Sequence, residues 1–133
     1  MAEEKPKRVR PDVLSGDTKK HETAECGNMY TTLNADEEGL YESWIRHGKQ
    51  GGCEYAHKEA IGRLISIALQ AGASPARIAR NLRGIQCDRP TKWGKFKCTS
   101  CLDAIGQAIQ KKVGVETPEK EKEADGQSDK SKP

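Results

Sequence analysis

The chain has 133 residues, 34% of them hydrophobic, with 23 Lys or Arg against 20 Asp or Glu and five Cys. That length suits one domain, and the absence of any run of about 18 apolar residues excludes a membrane-spanning helix. The charged N-terminus lacks the apolar segment of a secretory signal, so the expected location is the cytoplasm, where thiols stay reduced. An odd set of five cysteines then points to metal or redox chemistry more than to a disulfide framework.

Residues 1–25 carry six basic and six acidic side chains, and residues 114–133 carry four and six, with few large apolar residues in either. Both ends read as charged, disordered tails, over 1–22 and 114–133, flanking one domain at 23–113. Between the ends, residues 26–113 hold 13 Lys or Arg against 8 Asp or Glu, a net +5 where the whole chain has +3. A moderately basic surface suits an anionic ligand such as nucleotide phosphate, and serves solubility equally well.

In chain order, Met29, Thr31 and Leu33 alternate with Tyr30, Thr32 and Asn34, the period-2 pattern of a strand. A polar turn ending at Gly39 leads to a second strand over 40–47, giving a β-hairpin. Gly48, Gly51 and Gly52 then interrupt the chain. From Glu54 the period becomes helical, with Ile61, Leu64, Ile65, Ala68 and Leu69 on one face and Gly72 at the C-terminal cap. Ser74-Pro75 opens a short second helix that buries Ile78, Leu82 and Ile85, leaving Arg77, Arg80 and Arg83 on an outer face. The stretch from Cys87 to Lys97 reads as a loop. Ser100 and Asp103 form a capping box for a third helix buried through Leu102, Ile105 and Ile109. The predicted class is α+β, a β-hairpin followed by three short helices around a cysteine cluster.

A core this small with six aromatic residues leaves little net stability, about 3–5 kcal/mol, and a structural zinc ion can add about 10 kcal/mol or more. Each cysteine stands at the edge of an element, and Cys98-Thr99-Ser100-Cys101 is a CxxC whose two thiolates can reach one tetrahedral ion, with Cys53 and Cys87 completing a four-sulfur site and Cys26 as a fifth candidate. The same CxxC can instead be a redox dithiol of Cys98 and Cys101, since a helix N-terminus favours an anionic sulfur, and the bland alternative is that the cysteines are small buried hydrophobes. His21, His47 and His57 read as surface histidines. Lys49, with the glycines and the first helix's N-terminus, makes a candidate phosphate cradle without Walker spacing, and a turn requirement explains the glycines more simply. Arg77, Arg80 and Arg83, continued by Arg89, Lys92, Lys95 and Lys97 with Trp93 and Phe96 among them, make a candidate nucleotide or nucleic-acid surface, against the default of a solvated helix face.

Several separated blocks together resemble the TSCPD domain, which is named for a Thr-Ser-Cys-Pro-Asp signature and occurs at the C-terminus of adenosylcobalamin-dependent ribonucleotide reductases and in short stand-alone proteins. They are Cys26-Gly27-Asn28-Met29-Tyr30, Gly48-Lys49-Gln50-Gly51-Gly52-Cys53, Glu59-Ala60-Ile61-Gly62-Arg63-Leu64-Ile65-Ser66, Leu82-Arg83-Gly84-Ile85-Gln86-Cys87 and Thr99-Ser100-Cys101-Leu102-Asp103-Ala104-Ile105-Gly106. Cys26, Cys53, Cys87 and Cys101 fall on the family's pattern and form the preferred ligand set, with Cys98 an addition of this chain. Leu102 replaces the signature proline, which still permits a helix. The resemblance implies an accessory or detached C-terminal module of ribonucleotide reductase, with zinc as its cofactor and a reductase catalytic subunit or related nucleotide-metabolism protein as its partner. Adenosylcobalamin would enter only through that partner, because a chain this short cannot hold the catalytic barrel and is not a complete enzyme.

Overall fold

The structure, a computed structural model, describes residues 8–23, 27–48, 51–88, 91–93 and 96–114. The predicted hairpin forms from two nine-residue strands, Asn28–Asp36 and Gly39–His47, in which Met29, Thr31 and Leu33 face His47, Ile45 and Ser43 across the ladder. All six of those side chains are buried. At the turn the Asp36 carboxylate accepts the Glu38 N–H at 2.8 Å, and Gly39 takes φ +126, a conformation that favours glycine.

Three further strands complete a five-stranded sheet. In chain order the elements are β1 (Ser15–Thr23), β2 (Asn28–Asp36), β3 (Gly39–His47), α1 (Cys53–Gln70), α2 (Pro75–Leu82), β4 (Thr91–Trp93), β5 (Phe96–Cys98) and α3 (Cys101–Val113). The α+β class holds, with an antiparallel sheet in the order β3-β2-β1-β4-β5. β1 lies in what the composition marked as a solvated tail and the β4–β5 hairpin in what read as a loop, so both expectations are corrected. The reason is physical: β1 buries only His21 and shows no apolar alternation. It is held by backbone ladders on both flanks, from Ser15↔Ala35 to Glu22↔Asn28 on β2 and at Glu22↔Lys92 and Thr23↔Thr91 on β4. A hydrophobicity pattern cannot register a strand of that kind.

Part of the predicted N-terminal tail is also fastened. The Arg8 guanidinium pairs with Asp36, donates to the Leu40 and Gly39 carbonyls at 3.2 and 3.3 Å, and stacks 5.2 Å from the Tyr41 ring centroid. Arg10 pairs with Glu42 at 3.3 Å. The predicted C-terminal tail beyond Gly114 falls outside the described residues.

The helices follow their sequence signals closely. Gly72, at φ +104, ends α1 in a Schellman motif, with Ala73 N–H bonded to Ala68 C=O and Gly72 N–H to Leu69 C=O. Ser74 caps α2 by accepting the Arg77 N–H, and Ser100 caps α3 by accepting the Asp103 N–H. Ile65 and Leu69 of α1, Ala79 of α2 and Ala104, Ile105, Ala108 and Ile109 of α3 form the core with Met29, Leu33, Leu40 and Ile45 of the sheet. Two expectations fail here. Leu64 is 65% exposed, because α1 turns its Ile61–Ile65–Leu69 face inward, and Ile85 lies outside the helix with 39% exposure. α2 and α3 meet at Gly106, where an added Cβ would stand 3.0 Å from the Ala79 carbonyl oxygen and 3.1 Å from Leu82 Cβ. Gly106→Val is therefore expected to destabilise the fold by about 1–3 kcal/mol through overpacking, read as a lowered urea midpoint with an unchanged slope.

Candidate functional site

Strand direction decides where the cysteine-bearing segments lie. In this antiparallel sheet β1 ends at Thr23, β2 begins at Asn28 and β3 ends at His47, all at one end of the ladder. β4 begins there too, since Thr91 pairs with Thr23, and β5 ends there, since Cys98 pairs with Thr91. Both α1 and α3 start from that end, at Cys53 and Cys101. α3 then runs to the opposite end, where Lys112 reaches Asp17 at 3.7 Å. The segments bearing Cys53, Cys87, Cys98 and Cys101 thus all issue from one end of the sheet. Cys26 and Lys49 lie outside the described residues.

Burial then sorts the thiols. Cys53 and Cys87 are exposed, Cys101 is half-buried and Cys98 is buried. Cys53 Sγ lies 4.0 Å from His57 Nδ1, and the Cys87 thiol contacts Asp88 Oδ1 at 3.7 Å. Cys87 also stands beside the start of α3, because its N–H donates to the Thr99 carbonyl at 2.9 Å and the Thr99 hydroxyl donates to the Ile85 carbonyl at 2.9 Å. The Cys98 thiol instead donates inward to Gln107 Oε1 at 3.0 Å. Burial, reinforced by the Asp103 charge, pushes it up to about 12, so at neutral pH it stays protonated and is a poor nucleophile and a poor ligand. Among the described residues no three His, Cys, Asp or Glu side chains are already grouped as a metal-binding set.

The Asp103 carboxylate fixes the neighbourhood of Cys87 and Cys101. It accepts the Gly84 N–H at 2.7 Å, Arg83 Nε at 2.8 Å and the Thr99 N–H at 3.0 Å. Burial pushes its pKa up, but the hydrogen bonds from Gly84, Arg83 and Thr99 outweigh that and hold it below the usual carboxylate value. Arg83 also donates to Gln110 Oε1 at 2.6 Å. The expectation that Arg83 shares an outer face with Arg77 and Arg80 is corrected: those two are exposed, whereas Arg83 is the α2 C-cap and turns into the α2–α3 junction. Leu102, at the signature's proline position, packs against the core.

Sequence reasoning also misplaced two histidines. His21 and His47 flank Met29 in one buried row across β1, β2 and β3, at the end from which the cysteine segments issue. His47 Nε2 lies 3.5 Å from Thr23 Oγ1, and the buried Lys58 of α1 pairs with Glu54 at 3.2 Å. Burial, aided by Lys19 and His47, lowers the His21 pKa to about 4, and burial and Lys58 lower that of His47. The one signal in the sequence was the even spacing of His47 from Ser43 and Ile45 on the inward side of β3. His57 is exposed, as expected.

This architecture is an antiparallel sheet with three helices and thiols presented from one end. The family model of the TSCPD domain matches residues 4–113, and the chain belongs to that family, which is associated with ribonucleotide reductases. The chain matches no curated protein and no solved structure. No helix among the described residues is long and apolar enough to cross a membrane.

Two stability profiles test the site's electrostatics. Asp103→Ala should cost about 3 kcal/mol at neutral pH by leaving the Gly84 and Thr99 N–H groups and the half-buried Arg83 guanidinium without their shared acceptor. Because the folded carboxyl titrates below 3.8, the wild-type advantage should be complete above that pH and fade as pH falls through the lowered value, in urea titrations of both proteins. For His21 the neutral ring is the folded form, so its contribution is present above about 6.5 and is lost as pH falls from there to about 4. His21→Leu should flatten wild-type stability over that interval, and an unchanged slope would remove His21 as its source.

Proposed function

We propose that this chain is an accessory or detached C-terminal module of ribonucleotide reductase, whose thiol-bearing end binds one zinc ion and whose surface docks on a reductase catalytic subunit or a related nucleotide-metabolism protein. The observation that carries the reading is the ladder register, which starts the segments of Cys53, Cys87 and Cys101 from one end of one sheet. Their donor chemistry fits zinc: three thiols that are exposed or half-buried, with Cys26, outside the described residues, as the proposed fourth ligand. Cys98 does not fit, because its sulfur is committed to Gln107. The ion would act as a structural crosslink between the connection after β1, the start of α1, the segment before β4 and the start of α3.

Ligands that are not yet grouped among the described residues make metal binding an event that draws the segments together and releases the thiol protons. Adenosylcobalamin belongs to the partner enzyme in this reading. A redox relay through Cys98 and Cys101 is disfavoured by the burial and high pKa of Cys98.

Protein purified under reducing conditions should carry about one zinc per chain, and a chelator should lower its thermal midpoint by several degrees or unfold it. Cys53→Ser and Cys101→Ser should each lose the metal, whereas Cys98→Ser should keep it. Metal-free protein with the same thermal midpoint in the presence and absence of added zinc would end the proposal.

A further inference from the structure

The buried side of the sheet is matched by an open one. On the opposite face, Lys20, Tyr30 and Arg46 stand in one register row across β1, β2 and β3, with Thr18, Thr32 and Trp44 in the next. Lys20 and Arg46 are exposed, Tyr30 is 40% exposed and Trp44 is 54% exposed. Neither Lys20 nor Arg46 has an ion-pair partner among the described residues. Two residues before Trp44 on β3, the buried Glu42 carboxylate takes the Asn34 amide at 2.8 Å and is paired with Arg10. Glu22, one row beyond Lys20 and opposite Asn28, is the only other acidic group on this part of the face among the described residues.

An apolar occupant would cover the two rings but strand two cations without partners, which is costly. A polyanion that brings its own flat rings satisfies both groups at once. Cross-strand neighbours lie about 5 Å apart and diagonal ones about 7–8 Å, so Tyr30 and Trp44 can each take one of two successive unstacked bases while Lys20 and Arg46 flank Tyr30 on its two sides.

We propose that this face is a stacking platform for a single-stranded polynucleotide, with bases on Tyr30 and Trp44 and phosphates on Lys20 and Arg46. The Thr18 and Thr32 hydroxyls are hydrogen-bonded to each other at 2.7 Å, and a contact made through base faces and phosphates does not involve the 2′-OH, so the platform takes RNA and DNA alike. It is separate from the exposed Arg77 and Arg80 of α2 and includes none of the cysteines.

The test is fluorescence anisotropy of the full chain with labelled 12-nucleotide oligothymidylate and oligouridylate. Both should bind comparably, with a slope of log affinity against log salt of about −1.4 for two phosphate contacts, while a duplex of equal length and thymidine monophosphate compete poorly. Trp44→Ala and the double substitution Lys20→Gln with Arg46→Gln should each weaken binding about tenfold at an unchanged thermal midpoint, whereas Arg77→Gln with Arg80→Gln should not. The charge pair decides the matter should Trp44→Ala lose its fold. Failure of the wild-type chain to bind, full affinity in the Lys20 and Arg46 double variant, duplex binding as tight as single-strand binding, or loss of affinity on changing Arg77 and Arg80 would each overturn the proposal.

Discussion

Two backbone N–H groups and one guanidinium converge on the Asp103 carboxylate, from Gly84, Thr99 and Arg83. Through these three bonds the end of α2, the residue before the Ser100 cap and the first turn of α3 become one unit. The cysteine positions that follow are consequences: Cys87 is drawn beside Thr99 by a backbone bond, and Cys101 opens α3 directly after the cap. A buried carboxylate with this many donors is stable only while charged, so the geometry around the two thiols rests on one ionised group. Its sequence signature is the Ser100–Asp103 pair, with one difference from the usual reciprocal box. The Asp103 side chain reaches back to Thr99 and not to the cap residue itself, which leaves its second oxygen for Arg83 and Gly84.

The same residues show how far a sequence reveals such a fold. The three helices and the central hairpin could be read because each carries a local code: apolar spacing, a serine cap or a glycine stop. β1 and the β4–β5 hairpin could not, because their stability is non-local, supplied by ladder partners distant in the chain. Arg83 looked like a helix-face cation by its spacing from Arg77 and Arg80. Only the end of α2 at Leu82 rotates it inward. His21 was hidden for the same reason as its strand, since a lone histidine in a run of polar residues gives no sign that it will join a methionine and a second histidine in one buried row.

For the candidate site, sequence spacing identified the thiols but could not rank them. The CxxC pair looks equivalent on paper, yet Cys98 is the last residue of a strand pointing into the core and Cys101 the first of a helix at the rim. Spacing measures chain distance, whereas reactivity follows solvent access and local charge. The chain's extra cysteine is accordingly accommodated as a packed thiol, while the three described cysteines on the family pattern remain accessible to differing degrees.

One last feature concerns the sheet's margins. β3, the long edge strand, would ordinarily offer its unpaired backbone groups to any extended segment that came by. Here the Ser66 hydroxyl of α1 takes both the N–H and the C=O of Ser43, Gln70 takes the Tyr41 carbonyl, and Arg8 takes those of Gly39 and Leu40. The opposite margin, β5, is three residues long. With the β3 border occupied by side chains, the long edge strand is guarded against strand-to-strand aggregation, and a visiting macromolecule cannot simply extend the ladder from β3.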